Sequence, residues 1–334
     1  MQDLTLPVPA LMKNKIIVTD NTDPWRNLAM EELIMDSAEP NEMVLYLWQN
    51  RDTVVIGKNQ NAWKECCCEK LEADGGRLAR RSSGGGAVFH DMGNLNFTFA
   101  ADPSRYDLER QLGVILTACR NCGIDAKFTG RNDITAEGRK FSGNAFRHTK
   151  KCSMQHGTLL VHTDPEKMSK YLNPEKAKLM AKGVTSVRSR IANLTEFNPR
   201  LTAAIMKQAL MKVFTEEYGK AAYVDMTDFA SDELDILYSK YSSWEWRYGL
   251  LSSFEAELHT RFGWGDVQIL LNHKDGIIDS VKVYTDSMET SLASDLENIL
   301  TGRAYGKPMH DAVLEKSYGN SQLSDVADFL KKCF

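Results

Sequence analysis

The chain lacks the segments that would attach it to a membrane or direct it out of the cell. Among its 334 residues, no apolar run approaches the ~18 that a membrane-spanning helix needs. The beginning, MQDLTLPVPALMKNK, has neither the basic head nor the long apolar stretch and small-residue cleavage site of a signal peptide. We therefore expect a cytoplasmic protein with no membrane attachment.

A regular cysteine framework is also missing. The seven cysteines are an odd number at irregular spacing, in a chain large enough to bury a core without disulfides, so we expect reduced thiols. Cys119 and Cys122 form one C-x-x-C near the end of a predicted helix, and without a second pair we assign no zinc or redox site. Cys66 to Cys68 fall in a predicted helix over residues 62–73 and are interpreted as packing residues.

The chain as a whole has no excess of positive charge. Its net charge is -4, from 41 Lys and Arg against 45 Asp and Glu, which argues against a nucleic-acid partner. The charge is uneven, because residues 120–190 contain 15 Lys/Arg and 6 Asp/Glu whereas residues 254–334 contain 8 and 13. The basic middle region favours anionic ligands or an acidic protein partner, and solvated surface charge is the alternative.

The remaining pattern predicts about two globular domains. Helical and strand patterns alternate up to the segment Ser242 to Gly249, after which three strands and then three helices are predicted. The charge reversal falls at the same place. We therefore predict a first domain over residues 1–246, a linker over 247–253 and a small domain over 254–334.

A glycine-rich loop joins two predicted strands in the segment Arg80-Arg81-Ser82-Ser83-Gly84-Gly85-Gly86. Glycines let backbone N–H groups surround an anion, and arginine adds a bidentate contact, so the segment predicts a phosphate site. It is not a Walker A motif, because no Gly-Lys-Ser/Thr follows and both neighbours are predicted strands. A flexible turn is the alternative.

A predicted hairpin places opposite charges together around its Glu137-Gly138 turn. Asn132-Asp133 faces Lys140 across this turn. Carboxylate and amide oxygens suit Mg²⁺, which helps to neutralise transferring phosphates. We expect Ser142 and Asn144 to share a strand face with Lys140. A surface salt bridge is the alternative for the Asp–Lys pair.

Two further features have two interpretations each. His156, in Gln155-His156-Gly157-Thr158, is either a residue of a ligand site or a buried core histidine with a hydrogen bond. The apolar runs around Trp48, 54–56 and 87–89 either line a pocket or pack in the core. Periodicity does not separate these interpretations.

The motifs follow one another in an order known from one family. They are Arg80-Arg81-x-Ser83-Gly-Gly-Gly-Ala-Val-Phe-His90-Asp91, Gly130-Arg-Asn-Asp133, Lys140-Phe-Ser-Gly143-Asn-Ala and His156-Gly-Thr-Leu-Leu, preceded by Asp23-Pro-Trp-x-Asn27-Leu-Ala-x-Glu31-Glu32. With residues 181–190 and Ser243-Trp-Glu-Trp246, they resemble the lipoate-protein ligase A family over nearly all of residues 16–250. Residues 254–334 match by length and layout. Gln155, where some relatives have a second histidine, and a shorter 133–140 hairpin are departures.

The resemblance implies an α/β (α+β) catalytic domain with mixed β-sheets flanked by helices, biotin/lipoate-ligase-like, plus a small C-terminal α+β domain that moves during the cycle. The implied reaction joins lipoate and ATP to lipoyl-AMP with release of pyrophosphate, then passes the lipoyl group to a carrier lysine. ATP and Mg²⁺ are the implied cofactors. The implied partners are lipoyl carrier proteins, namely the glycine cleavage H protein and the E2 lipoyl domains of 2-oxo acid dehydrogenases, and the enzyme is expected to be a monomer.

The resemblance also implies roles for individual residues. Lys140 would be catalytic and would contact both the lipoate carboxyl and the α-phosphate, while Asn132 and Asp133 would organise Mg²⁺. The residues implied to bind ATP and the adenylate are Arg81, Ser83, Gly85, Gly86, Ala87, Val88, Phe89, Lys140, Lys182, Gly183 and Val184. Those implied to bind lipoate are Lys140, Glu31, Trp48, His90 and His156.

Two other functions are considered. A lipoyl or octanoyl transferase would use a preformed acyl donor, and its carrier-dependent type would need a cysteine nucleophile or a differently placed lysine; no Cys–His pair is evident in the sequence. A non-catalytic protein that binds lipoate or a carrier could keep the fold and lose the activation chemistry. The presence of Arg81, Asp133 and Lys140 together argues against that second alternative.

Overall fold

The computed structural model describes residues 13–129, 132–173, 191–229, 231–249 and 254–334. Within them the chain divides into two compact units. The first is made of residues 13–52, 90–169 and 191–241, and the second of residues 53–89, 170–173 and 242–334. Among the helices in these described ranges, none has the length and apolar character needed to cross a membrane.

The secondary structure alternates between strands and helices along most of the chain. In chain order the strands are β1 (Lys13–Val18), β2 (Glu42–Trp48), β3 (Thr53–Ile56), β4 (Arg77–Arg80), β5 (Val88–His90), β6 (Asn94–Ala101), β7 (Ala126–Thr129), β8 (Asp133–Ala136), β9 (Arg139–His148), β10 (Ser153–Leu160), β11 (Ala222–Val224), β12 (Ala256–Phe262), β13 (Gly265–Lys274) and β14 (Ile277–Thr285). The helices are α1 (Pro24–Asp36), α2 (Ala62–Glu65), α3 (Cys68–Ala73), α4 (Leu108–Asn121), α5 (Pro165–Tyr171), α6 (Ala203–Tyr218), α7 (Ser231–Ser242), α8 (Trp244–Tyr248), α9 (Leu292–Leu300), α10 (Lys307–Lys316) and α11 (Ser321–Cys333).

A mixed eight-stranded sheet is the centre of the first unit. Its strand order is β11-β1-β2-β6-β10-β9-β8-β7. Strand β1 runs parallel to β2 and to β11, and the other neighbours are antiparallel. The mixed sheet with flanking helices confirms the predicted fold class.

Both faces of this sheet are covered, but by residues of different character. In β6, Phe97 and Phe99 alternate with Asn96 and Thr98, and the whole strand is buried. The phenylalanines belong to the main hydrophobic core together with residues of α4 and α6, and Phe99 lies 6.2 Å from Phe214, between ring centroids. Because side chains alternate across a strand, the asparagine and the threonine must lie on the other face. That second face is therefore polar and buried.

Helix α1 carries polar groups against the polar face. It begins after Asp23, whose side chain accepts from the backbone N–H groups of Trp25 and Arg26, and Pro24 occupies its first turn. Most of its residues are buried, including Asn27 and Glu31. Buried polar groups need hydrogen-bond partners, so we expect the polar residues between α1 and the sheet to form a hydrogen-bond network.

The second unit contains two three-stranded sheets, ordered β4-β3-β5 and β12-β13-β14. The latter sheet packs with α9, α10 and α11 around a separate hydrophobic cluster. The three strands followed by three helices predicted for residues 254–334 are confirmed.

The helix predicted over residues 62–73 is wrong as a single element. The chain forms α2 and α3 instead, separated by Cys66, which is extended, and by Cys67, which is not helical. Cys66 makes a β-bridge with Leu172, and the Cys67 N–H donates to the Tyr171 carbonyl. These backbone bonds to a distant segment compete with the helical pattern, and a local periodicity cannot reveal them.

Candidate functional site

Lys140 and Asp133 meet across the β8–β9 hairpin. Both turn residues have positive φ, 48° at Glu137 and 76° at Gly138, the conformation of a tight two-residue hairpin turn. Lys140 Nζ lies 2.6 Å from a carboxylate oxygen of Asp133, and the two side chains are 26% and 22% exposed. The predicted pairing is confirmed, and the ion pair is half-buried rather than fully solvated.

A β-bulge decides which side chains accompany Lys140. Thr135 pairs with Lys140 whereas its neighbour Ile134 pairs with Ser142, so one extra residue lies in β9 between these pairs. Ile134 and Thr135 are neighbours in β8, so their side chains point to opposite faces of the sheet. Paired residues share a face, and Ser142 therefore lies on the face opposite Lys140. Asn144, two residues further, follows Ser142. The prediction that Ser142 and Asn144 share the Lys140 face is wrong, because the bulge shifts the alternation by one residue.

The Lys140 amine lies over the strand on the polar face of the large sheet. A Cβ on Gly143 would come 3.0 Å from Lys140 Nζ, so the glycine leaves room for the amine. Asp133 pairs with Gly143, and two residues further Ala145 pairs with His156. The lysine amine and His156 are therefore presented by neighbouring strands on one face.

A buried hydrogen-bond chain surrounds His156. Its Nδ1 lies 2.9 and 3.1 Å from the two carboxylate oxygens of Glu31. The Thr98 hydroxyl donates to the same carboxylate and accepts from the indole Nε1 of Trp48 at 3.0 Å. None of these four side chains is more than 6% exposed. A buried carboxylate needs compensating hydrogen bonds, and this network supplies them to Glu31.

His90 extends the same cluster. Its ring lies edge-on to Trp48, with 6.2 Å between centroids, and its Nδ1 lies 3.2 Å from the Asn50 side-chain nitrogen. The structure thus brings together the four residues that the resemblance assigns to lipoate besides Lys140, namely Glu31, Trp48, His90 and His156. His156 is buried and hydrogen-bonded, as its structural interpretation predicted, and it also lies among the ligand candidates.

Arg81 organises the glycine loop from within. Its guanidinium donates to the carbonyls of Gly84 at 2.7 Å and Gly86 at 2.8 Å and to the Ser83 hydroxyl at 3.1 Å. The side chain is buried. Arg81 therefore stabilises the conformation of the loop by donating hydrogen bonds to the loop's carbonyl groups.

Arg80 has a structural role that the sequence did not reveal. Its guanidinium donates to five backbone carbonyls, those of Gly57, Lys58, Gln60, Trp246 and Arg247, at 2.6 to 3.2 Å. Burial lowers the pKa of this guanidinium to about 10. These contacts join helix α8 to β4, so the guanidinium of Arg80 is bound by the protein's own backbone.

The glycine loop is also in contact with the residues that follow β14. The Gly85 N–H donates to the Ser287 carbonyl at 3.1 Å. A Cβ on Gly84 would lie 2.4 Å from that same oxygen, so only glycine fits here without a shift. One of the N–H groups predicted for an anion is therefore used by the protein itself in this arrangement.

The remaining nucleotide candidates are placed as follows. Ala87 leads from the loop into β5, which contains Val88 and Phe89, and the Phe89 ring is buried with its centroid 5.6 Å from that of Tyr171. Lys182, Gly183 and Val184, expected to close over the adenylate, lie outside the described residues.

Residues that sequence reasoning missed include Thr98, Asn50 and Asn27. The available indication was the alternation in β6, where Asn94, Asn96 and Thr98 interrupt a strand that otherwise reads as apolar. Three polar residues with a period of two in a buried strand indicate a polar face that needs partners.

Family models match both parts of the chain. Residues 23–215 match the model for the lipoyl protein ligase A/B catalytic domain, and residues 252–330 match the model for the bacterial lipoate protein ligase C-terminus. The chain is 40% identical to lipoate-protein ligase A of Psychrobacter cryohalolentis over 96% of its own length and 98% of that protein.

Solved structures, among them lipoate ligases, are similar to this chain. The P. falciparum protein LipL1 in complex with lipoate aligns with a TM-score of 0.83 and 29% identity, over 95% of this chain and 99% of that one. A lipoate-protein ligase A bound with ATP and a bipartite Thermoplasma acidophilum ligase, described with its E2 lipoyl domain, each give 0.63 and 27% identity, over 72% and 73% of this chain and 100% of theirs. The chain belongs to the lipoate-protein ligase A family and is an enzyme of the ligase class.

Proposed function

We propose that the chain attaches lipoate to lipoyl carrier domains in two ATP-dependent steps. The lipoate carboxylate first attacks the α-phosphorus of ATP, giving lipoyl-AMP and pyrophosphate, and a carrier lysine amine then attacks the acyl carbon and releases AMP. The observation that carries this proposal is the Lys140–Asp133 pair on the sheet face that also holds the buried Glu31–His156 pair. The lipoate and the ATP bound to the two related structures support the choice of substrates.

Lys140 would serve both steps with one charge. A carboxylate that approaches a phosphate meets electrostatic repulsion, and an ammonium placed between them offsets it as negative charge develops. In the second step the same ammonium would stabilise the oxyanion and the departing AMP. The Asp133 carboxylate keeps the amine in position over Gly143.

The hairpin fits Mg²⁺ as an ion shared with the nucleotide. Across the described residues, no group of three or more His, Cys, Asp or Glu side chains could hold a metal ion alone. Mg²⁺ commonly binds one or two carboxylates and completes its shell with substrate phosphates and water. Asp133 would supply the carboxylate and Asn132 an amide oxygen, and the bound ion would neutralise phosphate charge.

The nucleotide would be bound by the glycine loop and by β5. We assign this role to Arg81, Ser83, Gly85, Gly86, Ala87, Val88 and Phe89, together with Lys182, Gly183 and Val184. The lipoyl tail would lie against Glu31, Trp48, His90 and His156, where buried aromatic rings suit an apolar chain.

The acceptor would be an acidic lipoyl carrier, the glycine cleavage H protein or an E2 lipoyl domain. The excess of Lys and Arg in residues 120–190 and the E2 lipoyl domain paired with the Thermoplasma acidophilum ligase support this choice. A cytoplasmic location and a monomeric state stay predictions from the sequence.

A transferase with a cysteine nucleophile is less well supported. Burial raises the pKa of the Cys119 thiol to about 12 and that of Cys152 to about 11, which disfavours the reactive thiolate at these two positions, whereas the hydrogen bond with Cys66 lowers the pKa of Cys68. Release of pyrophosphate from ATP in the presence of free lipoate separates a ligase from such a transferase and from a non-catalytic binder.

The decisive experiment compares two lysine variants. We expect Lys140→Ala to lower the rate of lipoyl-AMP formation by at least ~100-fold, the scale of one lost electrostatic contact to a transition state. Lys127→Ala is the matched control, because this lysine lies in β7, two strands from β9 in the same sheet, with a 72% exposed side chain. Lipoyl-AMP is measured by mass spectrometry and transfer by mass shift of an added lipoyl domain. A folded Lys140→Ala variant with near-normal adenylation would refute the assignment.

A further inference from the structure

A chain of side-chain amides leads from the core of the first unit to His90. The Tyr46 hydroxyl donates to Asn27 Oδ1 at 3.1 Å. Asn27 Nδ2 lies 3.0 Å from Asn50 Oδ1, and Asn50 Nδ2 lies 3.2 Å from His90 Nδ1. All four residues are buried. We refer to Tyr46, Asn27 and Asn50 as the amide relay.

The direction of the relay is fixed by the backbone. Asn27 Nδ2 also contacts the carbonyls of Asn21 and Gln49, each at 3.0 Å. A carbonyl can only accept, so this atom must be the amide nitrogen and not the oxygen. Asn50 must then turn its oxygen to Asn27 and its nitrogen to His90. The Nδ1 of His90 therefore accepts a hydrogen bond and carries no proton.

His156 is held in the opposite sense. Its Nδ1 faces two carboxylate oxygens of Glu31, which can only accept, so this Nδ1 carries the proton. The two histidines of the candidate lipoate site thus differ: Nδ1 of His156 donates to a carboxylate, and Nδ1 of His90 accepts from an amide.

We propose that the amide relay positions His90 and holds it as the neutral tautomer with its proton on Nε2. The consequence of this inference rests on the proposed function. A site for the uncharged tail of lipoate would favour a neutral imidazole at His90, since a charge is costly to bury. Tyr46, Asn27 and Asn50 are then positioning residues for lipoate binding.

A second side-chain amide approaches Nδ1 of His90, and the carboxylates of Asp91 and Glu31 have hydrogen-bond partners of their own. Asn96 places its side-chain nitrogen 3.5 Å from the same atom, a second donor direction. Asp91, the next residue in the chain, uses its carboxylate to accept from the N–H groups of Gly93 and Asp164, each at 2.8 Å. The Glu31 carboxylate is engaged by His156 and Thr98.

The test reads the tautomer directly in the full-length enzyme. In protein labelled with ¹⁵N-histidine, we expect long-range ¹H–¹⁵N spectra to show His90 with unprotonated Nδ1 and protonated Nε2, unchanged from about pH 8 to about pH 5.5. Wild-type protein with protonated Nδ1 at neutral pH would overturn the proposal without any variant.

The matched variant is Asn50→Asp. It keeps an oxygen for Asn27 but presents an acceptor to His90, so the proton should move to Nδ1 and the ring should titrate within the same pH range. We expect the KM for lipoate to rise about tenfold, because the variant places charged groups against the apolar tail, with the KM for ATP unchanged. Thermal unfolding verifies that the variant folds, and Tyr46→Phe, which removes the far end of the relay, should give a smaller change of the same kind.

The outcomes separate this proposal from the function on which it rests. A folded Asn50→Asp variant with the wild-type tautomer or the wild-type KM for lipoate would overturn it. Absence of lipoate ligation by the wild-type enzyme, with His90 in the expected tautomer, would refute the proposed function and support the relay.

Discussion

At the scale of single residues, burial and pairing decide which charges the first unit tolerates. Glu32 follows Glu31 on α1, and its carboxylate receives Lys240 Nζ at 2.5 Å and Arg147 Nη1 at 3.2 Å. Burial alone would raise the pKa of Glu32, but the hydrogen bond and charge of Lys240, with the charge of Arg147, hold that pKa below its ordinary value. The carboxylate is therefore more stable as an anion in the folded state than in the unfolded chain.

The sign of the resulting pH dependence follows from linkage. A carboxyl with a depressed folded pKa stabilises the fold above its unfolded pKa of about 4.3 and loses that contribution as the pH falls through the folded value. We expect Glu32→Gln to cost about 1–3 kcal/mol of unfolding free energy near pH 7, and less below about pH 4. Denaturant titration at both pH values measures the difference.

The control for this experiment is Glu39→Gln. Glu39 forms an ion pair with Lys13 in which both side chains are about half exposed, so water already screens it. Equal losses of stability in the two variants, or a Glu32→Gln effect that grows in acid, would contradict the linkage argument.

The sequence predicted local contacts of the candidate site but not the contacts between distant residues. The pairing of Lys140 with Asp133 followed from the turn chemistry of Glu137-Gly138, which is local. The hydrogen bond of His156 to Glu31 joins residues 125 positions apart, and no local pattern contains that information. The resemblance named both residues without saying that they touch.

At the scale of elements, the glycine loop illustrates how much a loop depends on its neighbours. Gly84 lies against the Ser287 carbonyl, whereas a Cβ on Gly86 would meet nothing within 4 Å. We expect Gly84→Ala to push the loop from this carbonyl and break the Gly85–Ser287 hydrogen bond, at a cost of about 1–3 kcal/mol typical of overpacking. Hydrogen exchange of the peptides that contain residues 84–86 and 285–288 measures the change.

The same loop provides its own control. Gly86→Ala adds an equal methyl group in open space, so its exchange should match the wild type in both peptides. Unchanged exchange in Gly84→Ala, or equal acceleration in the two variants, would show that the close contact does not order the loop.

Element prediction succeeded where periodicity was strong and failed where distant backbone groups intervened. The strands and helices of residues 256–333 have clear alternation and amphipathic faces, and they form as predicted. The helix over 62–73 divides at Cys66 because its backbone bonds to Leu172, and the face of Ser142 changes because one residue bulges from β9. Neither the break in the helix nor the bulge in β9 can be predicted from local residue propensities.

At the scale of the whole molecule, sequence order and spatial grouping differ. Residues 53–89 belong to one compact unit with residues 254–334, through contacts such as the Thr285 N–H to the Asn59 carbonyl at 2.8 Å. The predicted boundaries, 1–246 and 254–334 with a linker over 247–253, stay a prediction, because compactness in space and independent folding are different properties. Charge distribution, by contrast, is a global property that the sequence states directly.

That charge distribution predicts how the two proposed reaction steps respond to salt. If an acidic carrier is attracted by the basic residues of the 120–190 region, screening should weaken the encounter, since the Debye length falls from about 10 Å at 0.1 M to about 3 Å at 1 M salt. The proposed formation of lipoyl-AMP would involve only small ligands. We therefore expect the KM for the carrier to rise with ionic strength while the rate of adenylation changes much less.

A charge reversal locates the effect on the surface. Lys150 is exposed in the turn between β9 and β10, beside Lys151, and Lys150→Glu should reduce the second-order rate of transfer at low salt and flatten its salt dependence. Lys331→Glu makes the same change in α11, within the acidic C-terminal region, and should leave transfer near the wild-type rate. If both variants transfer equally well, or if adenylation and transfer lose rate together as salt increases, then the basic middle region is solvated surface charge and does not recruit the carrier.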